Sequence, residues 1–200
     1  MRARLRASAR RRRVTVLTMA LDAVETARLR GERPYLRHAV MYAQLLGNPE
    51  VAARLFPPPS GGGPLTREQA AEWLADDIDH WRYAGFGVWV FFEAESKSFV
   101  GRGGLRRAEI CGRPTVEVTM ALLPEAWGQG YATEIAGSAV EAARAQGLTE
   151  VCGLALPTNL ASQRVLEKAG LGRERDVEHA GLRHWFGRLI LAGRASPRQR

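Results

Sequence analysis

Two cysteines in 200 residues are too few for a disulfide framework or a cysteine-based zinc site, so Cys111 and Cys152 read as thiols of a reducing cytoplasm. No apolar run approaches the roughly 18 residues that a membrane-spanning helix needs, which excludes a membrane protein. The short run Val14 to Leu21 follows an arginine-rich start, but it contains Thr15 and Thr18 and meets Asp22, so it is no signal peptide. His38, His80, His179 and His184 show neither metal-ligand nor triad spacing, and no metal is expected. No internal repeat is visible. Acid is missing from both ends: residues 1–13 carry seven arginines and residues 194–200 carry three, with no Asp or Glu in either stretch. Removing these ten charges from the overall +8 leaves a body of net charge −2. The basicity that invites a nucleic-acid reading therefore belongs to the tails.

The body is long enough for one domain with a substantial core, at 46% hydrophobic residues overall. Residues 1–24 read as a basic, unfolded arm, 25–191 as a single domain and 192–200 as a basic tail. The arm is either an RNA- or membrane-surface-binding segment or untidy flank ahead of a true start at Met19, and the second reading is preferred.

Helical spacing places Leu36, Ala39, Val40 and Ala43 on one stripe, with a further turn over Val51 to Leu55. Phe56 to Pro64, with three prolines and three glycines, is a loop. Thr66-x-x-Gln69 is a capping box that opens a helix with Ala70, Trp73, Leu74, Ile78 and Trp81 on its apolar face. Val88 to Phe92 and Phe99 to Leu105 read as a hairpin, in which Gly101, Gly103 and Gly104 permit a bulge or a close strand approach. Thr149 to Leu156 reads as a buried strand, and Pro157 to Asn159 lead into a helix with Ser162, Val165, Leu166 and Ala169 on one face. Gly172 to Val177 and Leu182 to Leu191 form a last antiparallel pair. Together these elements describe a mixed α/β domain, with one sheet covered on both faces.

The chain is organised around Thr115 to Gln146. Thr115 to Leu123 is β-branched and apolar, as a buried strand should be, and Pro124 ends it. Trp127-Gly128-Gln129-Gly130-Tyr131-Ala132 follows, and then a helix whose stripe is Ala132, Ile135, Ala136, Ala139, Val140 and Ala143. Two glycines ahead of a helix expose backbone N–H groups at the positive end of its dipole, which makes an anion site suited to phosphate. A P-loop would need Lys-Ser/Thr after the last glycine, and Tyr131-Ala132 stands there instead. A dinucleotide fingerprint would put its first glycine directly after the strand, whereas Pro124 to Trp127 intervene.

Together with Asn159-Leu-Ala-Ser162, this stretch resembles the acetyl-CoA site of the GNAT acetyltransferases, and is similar to the RimJ/RimL-like subgroup that acetylates ribosomal-protein N-termini. The family pattern Arg/Gln-x-x-Gly-x-Gly/Ala is matched except at its first position, where Trp127 stands. The resemblance spans about Glu25 to Leu191, with an opening strand at Glu25 to Pro34 that departs from the family at Gly31 and Glu32.

It implies the GNAT (acyl-CoA N-acyltransferase) fold, a mostly antiparallel sheet with helices on both faces, and an enzyme moving acetyl from acetyl-CoA to a primary amine without a metal. On the same ground, Gly128 to Thr133 would hold the CoA pyrophosphate, Met120, Ala121 and Leu122 would pair with the pantetheine amides, and Asn159 would touch that arm. Glu117 would be the general base, or else an outward glutamate paired with Arg102 or Arg106. Ser162 would hydrogen-bond the departing thiolate, or else satisfy a backbone carbonyl; the tyrosine used in many relatives is replaced by Leu166. Sequential direct attack is expected because neither cysteine lies near these motifs. The acceptor is a protein N-terminus or a small amine, and the molecule a monomer or homodimer in the cytoplasm. The alternative is an acetyltransferase-like binding module recruited to RNA or the ribosome by its arm, through weak, sequence-independent contacts.

Overall fold

The computed structural model describes residues 18–20, 22–56 and 62–191. The arginine arm up to residue 17, the centre of the proline-glycine loop and the tail from residue 192 lie outside the described residues. Among those described, β1 (Thr18–Ala20), β2 (Ala23–Glu25), β3 (Leu29–Glu32), β4 (Val88–Glu93), β5 (Phe99–Ile110), β6 (Arg113–Leu122), β7 (Glu150–Ala155), β8 (Gly172–His179) and β9 (Leu182–Ile190) form one sheet. Its order is β1-β2-β3-β4-β5-β6-β7-β9-β8. Neighbours run antiparallel except β6 and β7. The helices are α1 (Ala39–Leu46), α2 (Pro49–Leu55), α3 (Arg67–Ala84), α4 (Tyr131–Ala145) and α5 (Leu160–Lys168).

Two cores result. On one face Ile135, Ala136, Ala139 and Val140 of α4 pack on Leu29, Phe91, Leu105, Val116 and Val118. On the other, Tyr42, Leu45 and Leu46 of α1, Val51 of α2 and Leu74 of α3 pack on Val90 and Ala121. The mostly antiparallel sheet covered on both faces is the architecture expected from the sequence. Among the described residues no helix is long and apolar enough to cross a membrane.

The capping box forms as read: the Thr66 Oγ1 accepts from the Gln69 N–H at 3.3 Å and the Gln69 Oε1 from the Thr66 N–H at 2.8 Å. The close approach read at the glycines is also present, since a Cβ on Gly101 would stand 2.2 Å from the Ala121 carbonyl oxygen. Two readings need correction. The opening strand is split: β2 and β3 are separate short strands joined at Thr26–Arg28, and the sheet reaches back to Thr18. Gly31 departs from the family pattern for a steric reason, because a Cβ there would meet Phe91 and Val24 at 2.7 Å each. The stripe read on α1 is half wrong as well. Leu36 and Val40 are 77% and 79% exposed, and Tyr42, Leu45 and Leu46 are buried instead. Leu36 belongs to a 3-10 turn (Leu36–His38), whose three residues per turn shift the register of the helix that follows.

Candidate active site

β6 is ladder-paired to β5 at every position from Arg113 to Leu122. With β7, its parallel neighbour, it is bridged at one position only, Glu117 opposite Cys152. Met120 and Ala121 lie on the stretch beyond that bridge, where the two strands diverge. The Leu122 carbonyl accepts the Trp127 indole N–H at 2.8 Å, which fixes the ring at the head of the turn.

The turn itself follows a 3-10 segment, Pro124–Ala126. Gly128 and Gly130 have φ of 75° and 84°, left-handed values that glycine adopts without strain. Gly130 is the N-cap of α4, and no side chain caps this end. Gln129, Tyr131, Ala132 and Thr133 complete the turn and the first helical residues, so the N–H groups read as an anion cradle do converge here.

What the sequence did not reveal is how the turn is held. Arg28, between β2 and β3, donates from Nη2 to the Gln129 carbonyl at 2.8 Å and from Nε to Glu134 at 2.7 Å. The Thr26 hydroxyl donates to the same carboxylate at 2.6 Å. The Arg28 guanidinium also lies 4.5 Å from the centre of the Tyr131 ring, whose hydroxyl donates to Glu93 at 2.5 Å. Arg28 and Glu134 are 106 residues apart, so no local pattern could pair them.

A groove of about 380 Å³ runs between α2 and the loop from β7 to α5. Arg54, Leu156, Thr158, Asn159 and Leu160 line it. The Arg54 guanidinium rests 3.9 Å above the centre of the Trp127 ring, tying the groove to the turn. A cation from another helix thus stands over the residue that replaces the first Arg or Gln of the family pattern. Asn159 has the capping role read for it, its Oδ1 accepting from the Ser162 N–H at 3.1 Å. Ser162 is half-buried one turn into α5 and does not line the groove.

Glu117 lies on the opposite face of β6 from Val116 and Val118, which pack toward α4. It is half-buried, keeping a narrow path to water with protein around it. Burial pushes its carboxyl up to about 7, against the opposing pull of Arg106 and Arg102. The alternative of a glutamate paired with Arg102 or Arg106 is not what forms. Both arginines bind Asp77 of α3, and among the described residues no cation pairs with Glu117.

One expectation needs correction: Cys152 does lie near the site, in register with Glu117. It is fully buried, and burial pushes its thiol up to about 11, so it stays protonated at neutral pH. The buried histidines are structural. His80 accepts the Arg107 N–H and His38 the Tyr35 N–H, and burial lowers the pKa of both.

Residues 28–172 match a family model described as an acetyltransferase (GNAT) domain. A 120-residue stretch is 35% identical to the FsC-acetyl coenzyme A-N(2)-transacetylase of Aspergillus fumigatus, covering 55% of this chain and 49% of that one. The match thus spans only about half the length of the fungal protein. Among solved structures, a putative GNAT-family acetyltransferase from Bordetella pertussis superposes with a TM-score of 0.71 at 20% identity, over 84% of this chain and 98% of that one. The ribosomal alpha-N-protein acetyltransferase RimL, in complex with coenzyme A, superposes at 0.67 with 15% identity, over 82% and 95% of the two chains. These two likenesses are of fold.

Proposed function

Because this chain belongs to the GNAT acetyltransferase family, we propose that it acetylates a primary amine by direct attack, with acetyl-CoA seated in the splay between β6 and β7. That it is an acetyl-CoA-dependent acyltransferase follows from the family itself. The finer reading is carried by one observation: the glycine turn opens α4 where β6 and β7 stop pairing, so a phosphate cradle and unpaired strand backbone are contiguous.

In this reading the N–H groups of Gly128 to Ala132 hold the pyrophosphate, with Arg54 adding positive charge beside Trp127. The backbone of Met120 to Leu122 and Asn159 align the pantetheine arm. Glu117, with its raised pKa, takes the proton from the acceptor ammonium. The freed amine attacks the thioester carbonyl, a C–N bond forms and the C–S bond breaks. The departing sulfur carries the electron pair, and a hydrogen bond from Ser162 eases its departure. Cys152 takes no part as nucleophile, because its buried thiol stays protonated.

The acceptor belongs to one of two chemical classes. RimL by its name acts on a protein α-amine, and the fungal relative by its name is an N(2)-transacetylase. A RimJ/RimL-like role on a ribosomal-protein N-terminus is the reading favoured here, since the motif stretch is similar to that subgroup. The test is release of free thiol from acetyl-CoA against peptides with free or blocked α-amines and against small primary amines. Thiol release that requires a free amine, with the acceptor gaining one acetyl group, is the expected result. Transfer to none of these amines, from protein that binds acetyl-CoA, would overturn the amine reading while leaving the family assignment intact.

A further inference from the structure

Asp77 is 1% exposed in the middle of α3 and is the most heavily bonded carboxylate on the sheet face that carries Glu117. Its oxygens accept from the Tyr42 hydroxyl at 2.7 Å, from Arg102 Nε and Nη2 at 2.9 Å each, and from Arg106 Nη1 at 2.6 Å. Arg102 is itself buried, at 2% exposure, and needs a counter-charge. Arg106 does not: its side chain is one-third exposed and could reach water, yet it is held on the same carboxylate. One carboxylate with two guanidiniums leaves a net charge of +1. In register with Arg106 on the next strand stands Glu117, whose ionised form would bring the cluster to neutrality.

We propose that Asp77 is a positioning residue for the transfer: by holding Arg106 and Arg102 on its own carboxylate, it keeps Glu117 free of a direct ion pair and available to the acceptor ammonium. This rests on the reading of Glu117 as the base. Were Arg106 released, the nearest carboxylate for it would be Glu117, and an arginine-bound carboxylate is a poorer proton acceptor.

The other ionisable groups around Glu117 do not replace this control. From β7 come Cys152, whose thiol is protonated, and Glu150, which pairs with Arg188 of β9. From α3 comes His80, neutral and bonded to the Arg107 N–H, and from α1 Tyr42, whose hydroxyl is already given to Asp77.

The experiment is the pH dependence of kcat/KM for the wild type, Asp77→Asn and Arg106→Gln, with the KM for acetyl-CoA followed alongside. Wild type should lose activity below an acid limb set by Glu117. Asp77→Asn should move that limb to lower pH by about one unit, since a nearby cation lowers a carboxyl by that order. It should also lower the plateau about tenfold, a loss within the usual span of a general base. Arg106→Gln should move the limb about one unit the other way, and neither variant should alter the KM for acetyl-CoA by more than about threefold. A merely structural Asp77 would lower the melting temperature without moving the limb, and that result overturns the proposal. So does a shift in the same direction for both variants. If Asp77→Asn does not fold, Arg106→Gln decides: an upward shift upholds the proposal and an unmoved limb overturns it. A wild type with no acid limb at all would instead overturn the base reading on which this rests.

Discussion

Glu117→Gln is expected to lower kcat by roughly 10²–10⁴, the span lost when a positioned general base is removed. The acid limb of the pH–rate profile, set near pH 7 by the raised carboxyl pKa, should vanish with it. The same variant should be more stable than the wild type at neutral and alkaline pH. The folded-state pKa of Glu117 is raised from its ordinary 4.5 to about 7, so between those values the folded chain holds a proton that the unfolded chain has lost. Stability from this group is therefore fully present below about pH 4.5 and falls as pH rises through 7. The glutamine carries no such penalty. The gain should be on the order of 2–3 kcal/mol above pH 7, from the size of the shift, and should disappear near pH 4. A variant that keeps kcat within about threefold, with a melting curve that tracks the wild type at every pH, would leave proton removal to water.

Gly130→Val should cost most of the affinity for acetyl-CoA while the rest of the molecule stays folded. At φ of 84° a β-branched residue is strained by about 1–3 kcal/mol, and the turn will relax toward an allowed backbone. Steric clash is the smaller effect, because a Cβ would meet only the Arg28 Nη2 at 3.3 Å, the end of a flexible side chain. Relaxation turns N–H groups away from the pyrophosphate. Losing two charge-assisted hydrogen bonds at about 1.5 kcal/mol each corresponds to about 100-fold in Kd. Arg28 still bonded to Glu134 should limit the fall in melting temperature of the free protein. Unchanged affinity would place the pyrophosphate elsewhere.

The strand–turn–helix from β6 to α4 was readable because its signals are local: β-branched residues, then two glycines, then a 3.6-residue stripe. Asp77 and His80 were missed for the opposite reason. Both lie on the inner face of α3 by spacing, but a stripe drawn from apolar residues alone consigns charged groups to the wet face. Only Arg102, 25 positions away on another strand, gives Asp77 its partner. The clamp of Arg28 on the turn and the closeness of Cys152 to Glu117 are likewise products of tertiary register, with no signal nearby in sequence. Trp127 was legible as a departure from the family pattern, whereas the Arg54 guanidinium above it came from a helix read only as a short turn.

The central claim, that the β6–α4 turn and the splay beside it hold acetyl-CoA, is tested most directly by the melting temperature of the wild-type protein with and without the thioester. A ligand bound only by the folded state adds RT ln(1 + [L]/Kd), about 2.7 kcal/mol at a concentration of 100 Kd. The account predicts a saturable rise with acetyl-CoA or CoA, and a much smaller one with pantetheine, which lacks the pyrophosphate. No rise at millimolar acetyl-CoA, from protein shown to be folded, would contradict it.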